Sequence, residues 1–468
     1  MAKGKSVTVV VGMQYGSEAK GKLISVIAHE YQMLVRTGSV NAAHTVYFEG
    51  KAYPWHQLPA GTLHMMKRNP ESIIVLGAGS QLDLHYLERE VKWLQEHGVL
   101  FFEGTKVPRL LIDNMATVID EFDTFAENGY ANVCGPQWYK PTTCQYHNGD
   151  KGPDGATKAK GGCTGCSLYP ADSMHRTLGS TTHGSGMNMI RKLARRGNIV
   201  MGRENLTFEQ FVEGMAIDQM LKDDIGPAIK GVMAQAYEIY GKRIALKAPP
   251  VKLVSDIKDT EIAGVKLGAF LADTVDAINT YIDAGKKVML EGTQGAMLSV
   301  HHGTWPKTTS RDTNASNWCM EAGVAPTAVE KVIGVARTFP IRVAGDSGPT
   351  SGKEITWKDV SEFAGVPYTH NDDPTQIKGL IEITTATKRV RRVFEFGDED
   401  FLKAMQLNRP DELMLTFVDY LGIENAGKRD WNELTPKARE WVIKKEASLG
   451  VHFRYLSTGP GDQELIVR

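Results

Sequence analysis

The stretch Val7–Leu23, VTVVVGMQYGSEAKGKL, carries the strongest fold signal in the chain. It opens with VTVVVG, an apolar and β-branched run that is typical of a strand buried in a parallel sheet. Gly16, four further residues and then Gly21–Lys22 fit the G-x-x-x-x-G-K pattern of a phosphate-binding turn, although Leu23 replaces the usual Ser or Thr. The pattern therefore predicts an α/β fold whose first strand leads into an anion-binding turn.

Apolar runs and amphipathic stretches alternate along the rest of the chain. The apolar runs include Ile73–Leu76, Lys287–Leu290, Lys331–Val335 and Leu413–Val418, and the amphipathic stretches include Leu82–Glu96 and Leu267–Ala284. Short β-branched runs bounded by glycine are typical of buried parallel strands. The chain is therefore expected to form a single domain over residues 1–468, with a large central, mostly parallel sheet flanked by helices.

Composition disfavours several classes of protein. The 468 residues include 54 Lys and Arg against 55 Asp and Glu, and this net charge of −1 gives no preference for nucleic acid or for an anionic membrane. No stretch approaches about 18 uncharged apolar residues, so no transmembrane helix is predicted. The N-terminal MAKGKSVTVVVG has too short an apolar run for a signal peptide, which predicts a cytoplasmic protein.

One segment, residues 129–177, departs from this pattern and is rich in Gly, Lys, Pro and Cys. It contains four of the five cysteines, Cys134, Cys144, Cys163 and Cys166, with His147 between the two pairs. Four thiolates, or three and an imidazole, can close a tetrahedral shell around a structural zinc ion. We therefore predict a Cys-rich insertion that holds zinc, with an exposed loop carrying free thiols as the alternative. Cys319, the fifth cysteine, is expected to be a small core residue.

Several further blocks combine Gly, Ser, Thr, His and Arg. They are GSVNAAHT (38–45), WHQLPAG (55–61), VLGAGSQLD (75–83), GSTTHGSG (179–186), KLARRG (192–197), LEGTQGAMLSVHHGTWPKTTS (290–310), ITTATKRVRR (383–392), LTFVDYLG (415–422) and YLSTGPGDQELI (455–466). In order, spacing and composition, these blocks and the phosphate-binding turn resemble adenylosuccinate synthetase over nearly the whole chain outside the Cys-rich segment. The resemblance implies the P-loop-like fold of that family.

The resemblance also implies a two-step carbon–nitrogen ligase of purine biosynthesis. A nucleoside triphosphate phosphorylates the 6-oxygen of a purine nucleotide, and the amine of L-aspartate then displaces the phosphate. By analogy with the family, Lys20 contacts the transferring γ-phosphate and His44 acts as electrophile or general acid. Mg²⁺ is expected at the residue that follows Gly16, which is Ser17 here, and at the backbone carbonyl of Ala43.

The same resemblance places the substrates. The monophosphate nucleotide is expected at Ser17, Asn41, Thr181, Arg195, Gln294, Thr309 and Val343. The triphosphate is expected at Gly16, Glu18, Ala19, Lys20, Gly21, Lys22, Asp419, Ser457 and Gly459, and aspartate at Thr384, Thr385, Arg389 and Arg391. Arg195 matches an arginine that reaches the 5′-phosphate across a subunit interface, which predicts a homodimer. Asp419 favours GTP, whereas Phe417, which stands in place of a lysine, leaves ATP open.

Position 17 carries the most informative departure from the family, whose motif reads G-D-E-G-K-G-K where this chain reads GSEAKGK. The missing carboxylate is the base expected to remove the N1 proton of IMP, which is worth roughly 10²- to 10⁴-fold in rate. It would also crowd a purine 2-amino group, which the smaller, neutral Ser17 can instead bind through a hydrogen bond. The change resembles the phage-type enzymes that make the precursor of 2-aminoadenine DNA from dGMP. Ser25 stands where the family usually has Asp, and this second change is consistent with a site of altered substrate specificity.

The sequence therefore predicts a synthase that joins dGMP to L-aspartate at the expense of ATP or GTP, in the host cytoplasm if a phage encodes it. One alternative is a divergent adenylosuccinate synthetase that uses IMP and GTP. Another is a catalytically inactive nucleotide-binding regulator, which the retained Lys20, His44 and Gln294 disfavour. A zinc-dependent nucleic-acid binder is disfavoured by the balanced charge.

Overall fold

The computed structural model describes residues 4–120, 123–124, 183–193, 250–343, 345, 347–371, 376–384 and 390–468. The chain divides into two compact units, residues 1–116, 177–181 and 253–468 in the first and residues 117–176 and 182–252 in the second. The predicted phosphate-binding turn belongs to the first unit. The predicted zinc ligands lie outside the described residues: Cys134, Cys144, Cys163 and Cys166, with His147.

The strands of the described ranges are, in chain order, β1 Val7–Gly12, β2 Met33–Arg36, β3 His44–Phe48, β4 Lys51–Trp55, β5 Ile73–Leu76, β6 Gln81–Leu82, β7 Leu110–Asp113, β8 Thr117–Val118, β9 Lys252–Leu253, β10 Glu261–Ile262, β11 Val265–Lys266, β12 Leu271–Ala272, β13 Val288–Glu291, β14 Val329–Arg337, β15 Ile341–Arg342, β16 Glu354–Ile355, β17 Arg392–Phe394, β18 Glu412–Thr416, β19 Tyr455–Ser457 and β20 Leu465–Val467. The α-helices of the same ranges are α1 Lys20–Ile27, α2 Thr62–Arg68, α3 Leu84–Glu96, α4 Ser185–Leu193, α5 Thr274–Asp283, α6 Ala315–Ala322, α7 Trp357–Phe363, α8 Asp398–Asn408 and α9 Pro436–Leu449. None of these helices has the length and apolar content needed to cross a bilayer.

Ten of the described strands form one sheet in the order β12-β7-β5-β2-β13-β1-β14-β18-β19-β20. All neighbouring strands in it are parallel except β19 and β20, so the prediction of a large, mostly parallel sheet is confirmed. The central strand β1 is buried along its whole length, between β13 and β14. Its VTVVVG sequence suits this position because both faces of the strand are covered by other residues.

The carboxyl ends of the parallel strands meet at one edge of the sheet, which is where α/β folds bind their ligands. β1 ends at Gly12 and continues directly into the phosphate-binding turn. Four neighbouring strands end in buried polar or charged residues: Arg36, Glu291, Arg337 and Thr416. Buried charges are stable only with partners, so these strand ends predict a polar network under the turn.

Five of the described α-helices in this unit start where a side chain caps the backbone, and two of them lie in the predicted amphipathic stretches. The amphipathic stretch Leu82–Glu96 becomes α3, because the Asp83 carboxylate accepts hydrogen bonds from the backbone N–H groups of the first turn. The stretch Leu267–Ala284 forms a 3₁₀ turn at Leu267–Ala269 and the short strand β12, and it becomes α-helical only from Thr274, where Asp273 caps α5 in the same way. Each such cap stabilises its helix by about 1 kcal/mol.

A buried ion-pair cluster holds the described part of the second unit. The guanidinium of Arg191, on α4, lies 2.8 Å from a carboxylate oxygen of Asp120 and 2.6 Å from one of Asp123. Asn188, one turn earlier, donates to Asp123 at 2.8 Å and to the Val118 carbonyl at 3.0 Å. The cluster therefore joins α4 to β8.

Candidate functional site

The phosphate-binding turn between β1 and α1 has a constrained backbone. The φ angles of Gly16, Ser17 and Ala19 are 89°, 57° and 59°, all in the left-handed region. A non-glycine residue there costs of order 1 kcal/mol and persists where the surroundings enforce it, often at ligand sites. Because α1 begins at Lys20, the turn also carries the N–H groups of a helix N-terminus, which favour anions.

Glu18 points into the turn instead of toward solvent, and its side chain is fully buried. Its carboxylate accepts from the backbone N–H of Gln14 at 3.2 Å and of Gly16 at 2.7 Å. A Cβ atom at Gly12 or at Gly295 would lie about 2.5 Å from a Glu18 carboxylate oxygen, so both positions require glycine. The Glu18 side chain therefore shapes the turn from within.

Lys20 joins the turn to the segment after β13. Its ammonium lies 2.9 Å from the Glu18 carboxylate and donates a hydrogen bond to the Gln294 carbonyl. The Gln294 side chain donates to Oγ1 of Thr309 at 2.8 Å. The structure thus brings together three predicted site residues that lie far apart in the sequence.

His44 opens β3 and lies against the phosphate-binding helix. A Cβ atom at Gly21 would lie 3.1 Å from the His44 Cβ, so this glycine of the motif allows the close approach. Nδ1 of His44 lies 2.6 Å from Oε1 of Glu291. Burial lowers the pKa of His44, although the Glu291 carboxylate opposes that shift.

Ser17 is exposed at the tip of the turn, and its Oγ accepts a hydrogen bond from Nη1 of Arg391. Burial lowers the pKa of the Arg391 guanidinium, and the nearby Glu382 carboxylate opposes this. Within the described residues, Nε of Arg391 has no hydrogen-bond partner. Two predicted residues, one for the purine nucleotide and one for aspartate, are therefore in direct contact.

Glu382 is already paired with a second arginine. Arg337, the buried last residue of β14, forms an ion pair with the Glu382 carboxylate through both of its terminal nitrogens. Nη1 of Arg337 also donates to the Ser17 carbonyl at 3.1 Å. Among the described residues, Glu382 thus lies near both Arg337 and Arg391, and the Asp419 carboxylate also interacts with the Arg337 charge.

Phe417 lies on this network. Its φ angle is 59°, and the Arg337 guanidinium stacks on its ring at 4.0 Å from the centroid. An aromatic ring at this position can stack on either purine base, which is why Phe417 leaves ATP open as the triphosphate. Arg337 therefore already covers one face of the ring, and the Tyr420 ring lies 5.1 Å from it, centroid to centroid.

The ammonium of Lys22 is held by the C-terminal loop. It donates to the carbonyls of Gly459 at 2.6 Å, of Glu464 at 3.0 Å and of Gly461. Burial lowers the pKa of Lys22 to about 8, against the raising effects of nearby carboxylates that include Asp419. The structure therefore brings together three residues predicted to bind the triphosphate: Lys22, Asp419 and Gly459.

Asp419 follows β18 and is mostly buried. Burial raises its pKa to about 6, and the Lys22 ammonium is among the groups that oppose this shift. At neutral pH the carboxylate is mostly ionised, and it is then an acceptor only. An ionised Asp419 matches the donors of guanine, N1–H and the 2-amino group.

The remaining predicted residues fall into two groups. Asn41 and Ala43 lie partly exposed just before β3, Val343 is exposed after β15, Thr384 is buried, and Ser457 ends β19. Thr181, Arg195, Thr385 and Arg389 lie outside the described residues. Cys319 is buried on α6, which confirms its prediction as a core residue.

Four charged residues of this site were missed in the sequence: Arg36, Glu291, Arg337 and Glu382. Three of them share a signal, because each is a charged residue that ends an apolar, strand-like run. The carboxyl end of a buried parallel strand is where such a charge reaches a ligand site. Glu382 has no comparable signal, since it lies in a loop.

The sequence profile described as adenylosuccinate synthetase matches residues 9–132 and 169–426. The chain belongs to the adenylosuccinate synthetase family. The unmatched residues 133–168 fall inside the segment predicted as a Cys-rich insertion. The resemblance inferred from the motifs is thereby confirmed.

Named adenylosuccinate synthetases align with nearly the whole chain. The enzyme of Methanocaldococcus jannaschii is 27% identical over 456 residues, which cover 97% of this chain and 94% of the relative. The enzyme of Thermococcus sibiricus is 27% identical over 465 residues, with 98% and 97% coverage.

Two solved structures share the fold. Fully ligated adenylosuccinate synthetase from Plasmodium falciparum superimposes with a TM-score of 0.62 at 20% identity, covering 99% of this chain and 100% of that one. The succinoaminodeoxyadenylate synthetase PurZ of cyanophage S-2L, bound to dGMP and to dATP as an energy donor, gives a TM-score of 0.56 at 22% identity, with 99% and 95% coverage. At these identities the likeness shows the fold, and the predicted fold class is confirmed.

Adenylosuccinate synthetases use Mg²⁺, so the donor set predicted for it can be compared with the structure. Mg²⁺ is usually held by one or two carboxylates together with phosphates and water. Ser17 offers an uncharged hydroxyl beside the Arg391 guanidinium, and the adjacent Glu18 is bound to Lys20. Among the described residues, no three His, Cys, Asp or Glu side chains are grouped to hold a metal ion. Ser17 and the Ala43 carbonyl therefore do not fit a metal site made by the protein alone.

Proposed function

We propose that this protein joins dGMP to L-aspartate, driven by a purine nucleoside triphosphate, to give N6-succinyl-2-amino-2′-deoxyadenylate. Family membership itself makes it an adenylosuccinate synthetase-like carbon–nitrogen ligase. The observation that carries the finer assignment is Ser17, a neutral hydroxyl at the tip of the phosphate-binding turn, in contact with Arg391. The shared fold with a phage enzyme bound to dGMP and dATP is consistent with it.

Space and hydrogen bonding at position 17 favour a 2-amino purine. A carboxylate at this position would crowd a group on carbon 2 of the base, whereas the shorter Ser17 leaves room. A hydroxyl has two acceptor lone pairs, and Arg391 uses one of them. The second can accept a hydrogen bond from the 2-amino group of guanine.

The reaction forms one bond and breaks one bond in each step. First, the 6-oxygen of dGMP attacks the γ-phosphorus and the bond to the departing nucleoside diphosphate breaks. The N1 proton passes to solvent water, because position 17 carries a hydroxyl in place of the carboxylate base. Next, the α-amine of aspartate attacks carbon 6, and inorganic phosphate departs with the former 6-oxygen. The amine loses a proton as the purine ring recovers its aromatic form.

The residues of the turn suit the first step. The helix N-terminus and the Lys20 ammonium supply positive charge for the transferring phosphoryl group. His44 lies against the same helix and acts on the 6-oxygen as electrophile or proton donor. Mg²⁺, bound to the triphosphate, would offset phosphate charge.

The second step needs a site for the carboxylates of L-aspartate. Arg391 and Arg337 lie near each other and near the Glu382 carboxylate. Nη1 of Arg391 contacts the turn at Ser17, and among the described residues its Nε has no hydrogen-bond partner. A guanidinium can bind a carboxylate with two parallel hydrogen bonds, which positions the amine for attack.

An assay with separated substrates tests this function. dGMP, GMP and IMP are each offered with L-aspartate and with either ATP or GTP, and phosphate release and the succinylated product are measured. The proposal expects turnover with dGMP. Turnover of IMP alone would identify a divergent adenylosuccinate synthetase, and nucleotide binding without any turnover would identify an inactive regulator.

A further inference from the structure

Glu291 is a buried carboxylate at the centre of the sheet edge, and nothing in the sequence motifs gave it a role. It is the last residue of β13, and in the strand register it lies beside Arg36 on β2 and Val10 on β1. It is 2% exposed. A carboxylate in this position remains only if several partners compensate its burial.

Three groups compensate the Glu291 charge. Oε1 lies 2.6 Å from Nδ1 of His44 and accepts from Nη1 of Arg36 at 2.8 Å, and Oε2 accepts from the backbone N–H of Ala60 at 2.6 Å. Burial alone would raise the pKa of Glu291, but Arg36 and His44 outweigh it and hold the value at about 2. The side chain is therefore an anion throughout the range in which enzymes are assayed.

The backbone that carries His44 is fixed by other residues. The Arg36 guanidinium donates to the carbonyls of Ala42, His56 and Leu58, on both sides of the β3–β4 hairpin. Glu90, on α3, accepts from three successive backbone N–H groups at His56–Leu58. Glu291 differs from Arg36 and Glu90 in that its carboxylate lies 2.6 Å from a nitrogen of the imidazole ring itself.

We propose that Glu291 is the positioning residue for His44. Oε1 of Glu291 lies 2.6 Å from Nδ1, although Nδ1 makes no hydrogen bond of good geometry within the described part of the structure. At that distance the carboxylate charge keeps the proton of the neutral ring on Nδ1 and so orients the ring for the reaction. Nε2 is then the ring nitrogen that meets the nucleotide. The inference rests on the proposed function for one point, that His44 acts on the purine nucleotide. The protonation and orientation of the His44 ring do not depend on it, because they are properties of the free protein.

The experiment uses the full-length chain with ¹⁵N-labelled histidine. Glu291→Gln keeps the shape of the side chain but removes the charge, and its amide can donate to Nδ1, so the proton moves to Nε2. Glu291→Asp keeps the charge on a shorter side chain. Glu90→Gln is the matched control, since Glu90 is an equally buried carboxylate that binds the neighbouring backbone.

Two-dimensional imidazole spectra of the neutral ring report the tautomer, and steady-state kinetics report the effect on the reaction. The wild-type protein and the Glu90→Gln and Glu291→Asp variants are expected to carry the His44 proton on Nδ1. Glu291→Gln is expected to shift it to Nε2 and to lower kcat by about 10- to 100-fold with KM nearly unchanged. A merely structural role would instead lower stability and leave the tautomer as it is.

A wild-type His44 with its proton on Nε2 would overturn the proposal without any variant, so the test does not depend on whether Glu291→Gln folds. An unchanged tautomer and kcat in Glu291→Gln would also overturn it. If the tautomer shifts as expected but no purine nucleotide is turned over, the positioning role stands and the proposed function fails.

Discussion

Arg391 donates a hydrogen bond from Nη1 to Oγ of Ser17, and this contact joins the predicted aspartate loop to the phosphate-binding turn. In the sequence, Ser17 is a change of size and the loss of a base. The structure adds an electrostatic difference, because Ser17 contacts the partly buried guanidinium of Arg391, and the nearby Glu382 carboxylate is already paired with Arg337.

Ser17→Asp is expected to lower kcat/KM for dGMP by about 10- to 100-fold. The added carboxylate would crowd the 2-amino group and would form an ion pair with Arg391, which withdraws that guanidinium from the ligands. Steady-state kinetics with dGMP and aspartate varied in turn measure both effects. Ser17→Asn is the control, because it adds similar bulk without charge. Undiminished use of dGMP by the Asp variant would refute the steric and electrostatic account together.

The predicted contact between Asp419 and guanine implies that guanine binding depends on pH. Burial raises the pKa of Asp419 to about 6. The folded protein therefore binds a proton at Asp419 at a higher pH than the unfolded chain does. As a result, the contribution of Asp419 to the free energy of unfolding falls as the pH rises from about 4 to about 6. The ionised form accepts from guanine, so GTP affinity should rise about tenfold between pH 5 and pH 7.

Calorimetric binding of GTP and ATP across that range measures the effect. ATP carries the same phosphates and corrects for their own titration. In the Asp419→Asn variant, the affinities for GTP and ATP should change with pH to the same extent. If the affinities for GTP and ATP change with pH to the same extent in the unmodified protein, Asp419 does not recognise the base.

Arg195 is predicted to complete the monophosphate site of a second subunit in a homodimer. Arg195→Ala should raise KM for the monophosphate by about tenfold or more, because a charge-assisted phosphate contact is lost, with a smaller effect on the triphosphate. Arg196→Ala, one residue along, is the control. A fully active monomer, measured by light scattering during turnover, would rule out the shared site.

The cysteines of residues 129–177 are predicted to hold one structural zinc ion. Metal analysis of protein purified without added zinc or chelator should give about one zinc per chain, because binding energy of this kind supplies the folding of a segment with few apolar residues. Cys163→Ser should lower the zinc content, whereas Cys319→Ser should not, since Cys319 is a core residue on α6. A content near zero in the unmodified protein would leave the free-thiol alternative.

The sequence predicted the central sheet well because its strands carry their own signal. VTVVVG and Lys287–Leu290 are short apolar runs, and they become the adjacent buried strands β1 and β13. The turn was equally predictable, since a glycine motif fixes it locally. Gly12 and Gly295 illustrate the limit, because the Glu18 carboxylate and the backbone atoms of Gln14, Gly16 and Gln294 that exclude a Cβ there come close to them only in the folded chain.

The charged network could be predicted only in part. Arg36 and Glu291 end apolar runs and could have been recognised by position, but their pairing depends on the strand order β2-β13-β1. The contact between Ser17 and Arg391 spans most of the chain and has no local signature. Long-range pairing of this kind follows from topology, which the motifs alone do not determine.

The most direct test of the central claim is a competition between dGMP and IMP. Both nucleotides are supplied at equal concentration with L-aspartate and saturating triphosphate, and the two succinylated products are quantified by mass spectrometry at low conversion. The product ratio equals the ratio of the two kcat/KM values, whatever the affinities. The account predicts that N6-succinyl-2-amino-2′-deoxyadenylate predominates by about tenfold or more. An excess of adenylosuccinate would contradict the account and assign the protein to IMP.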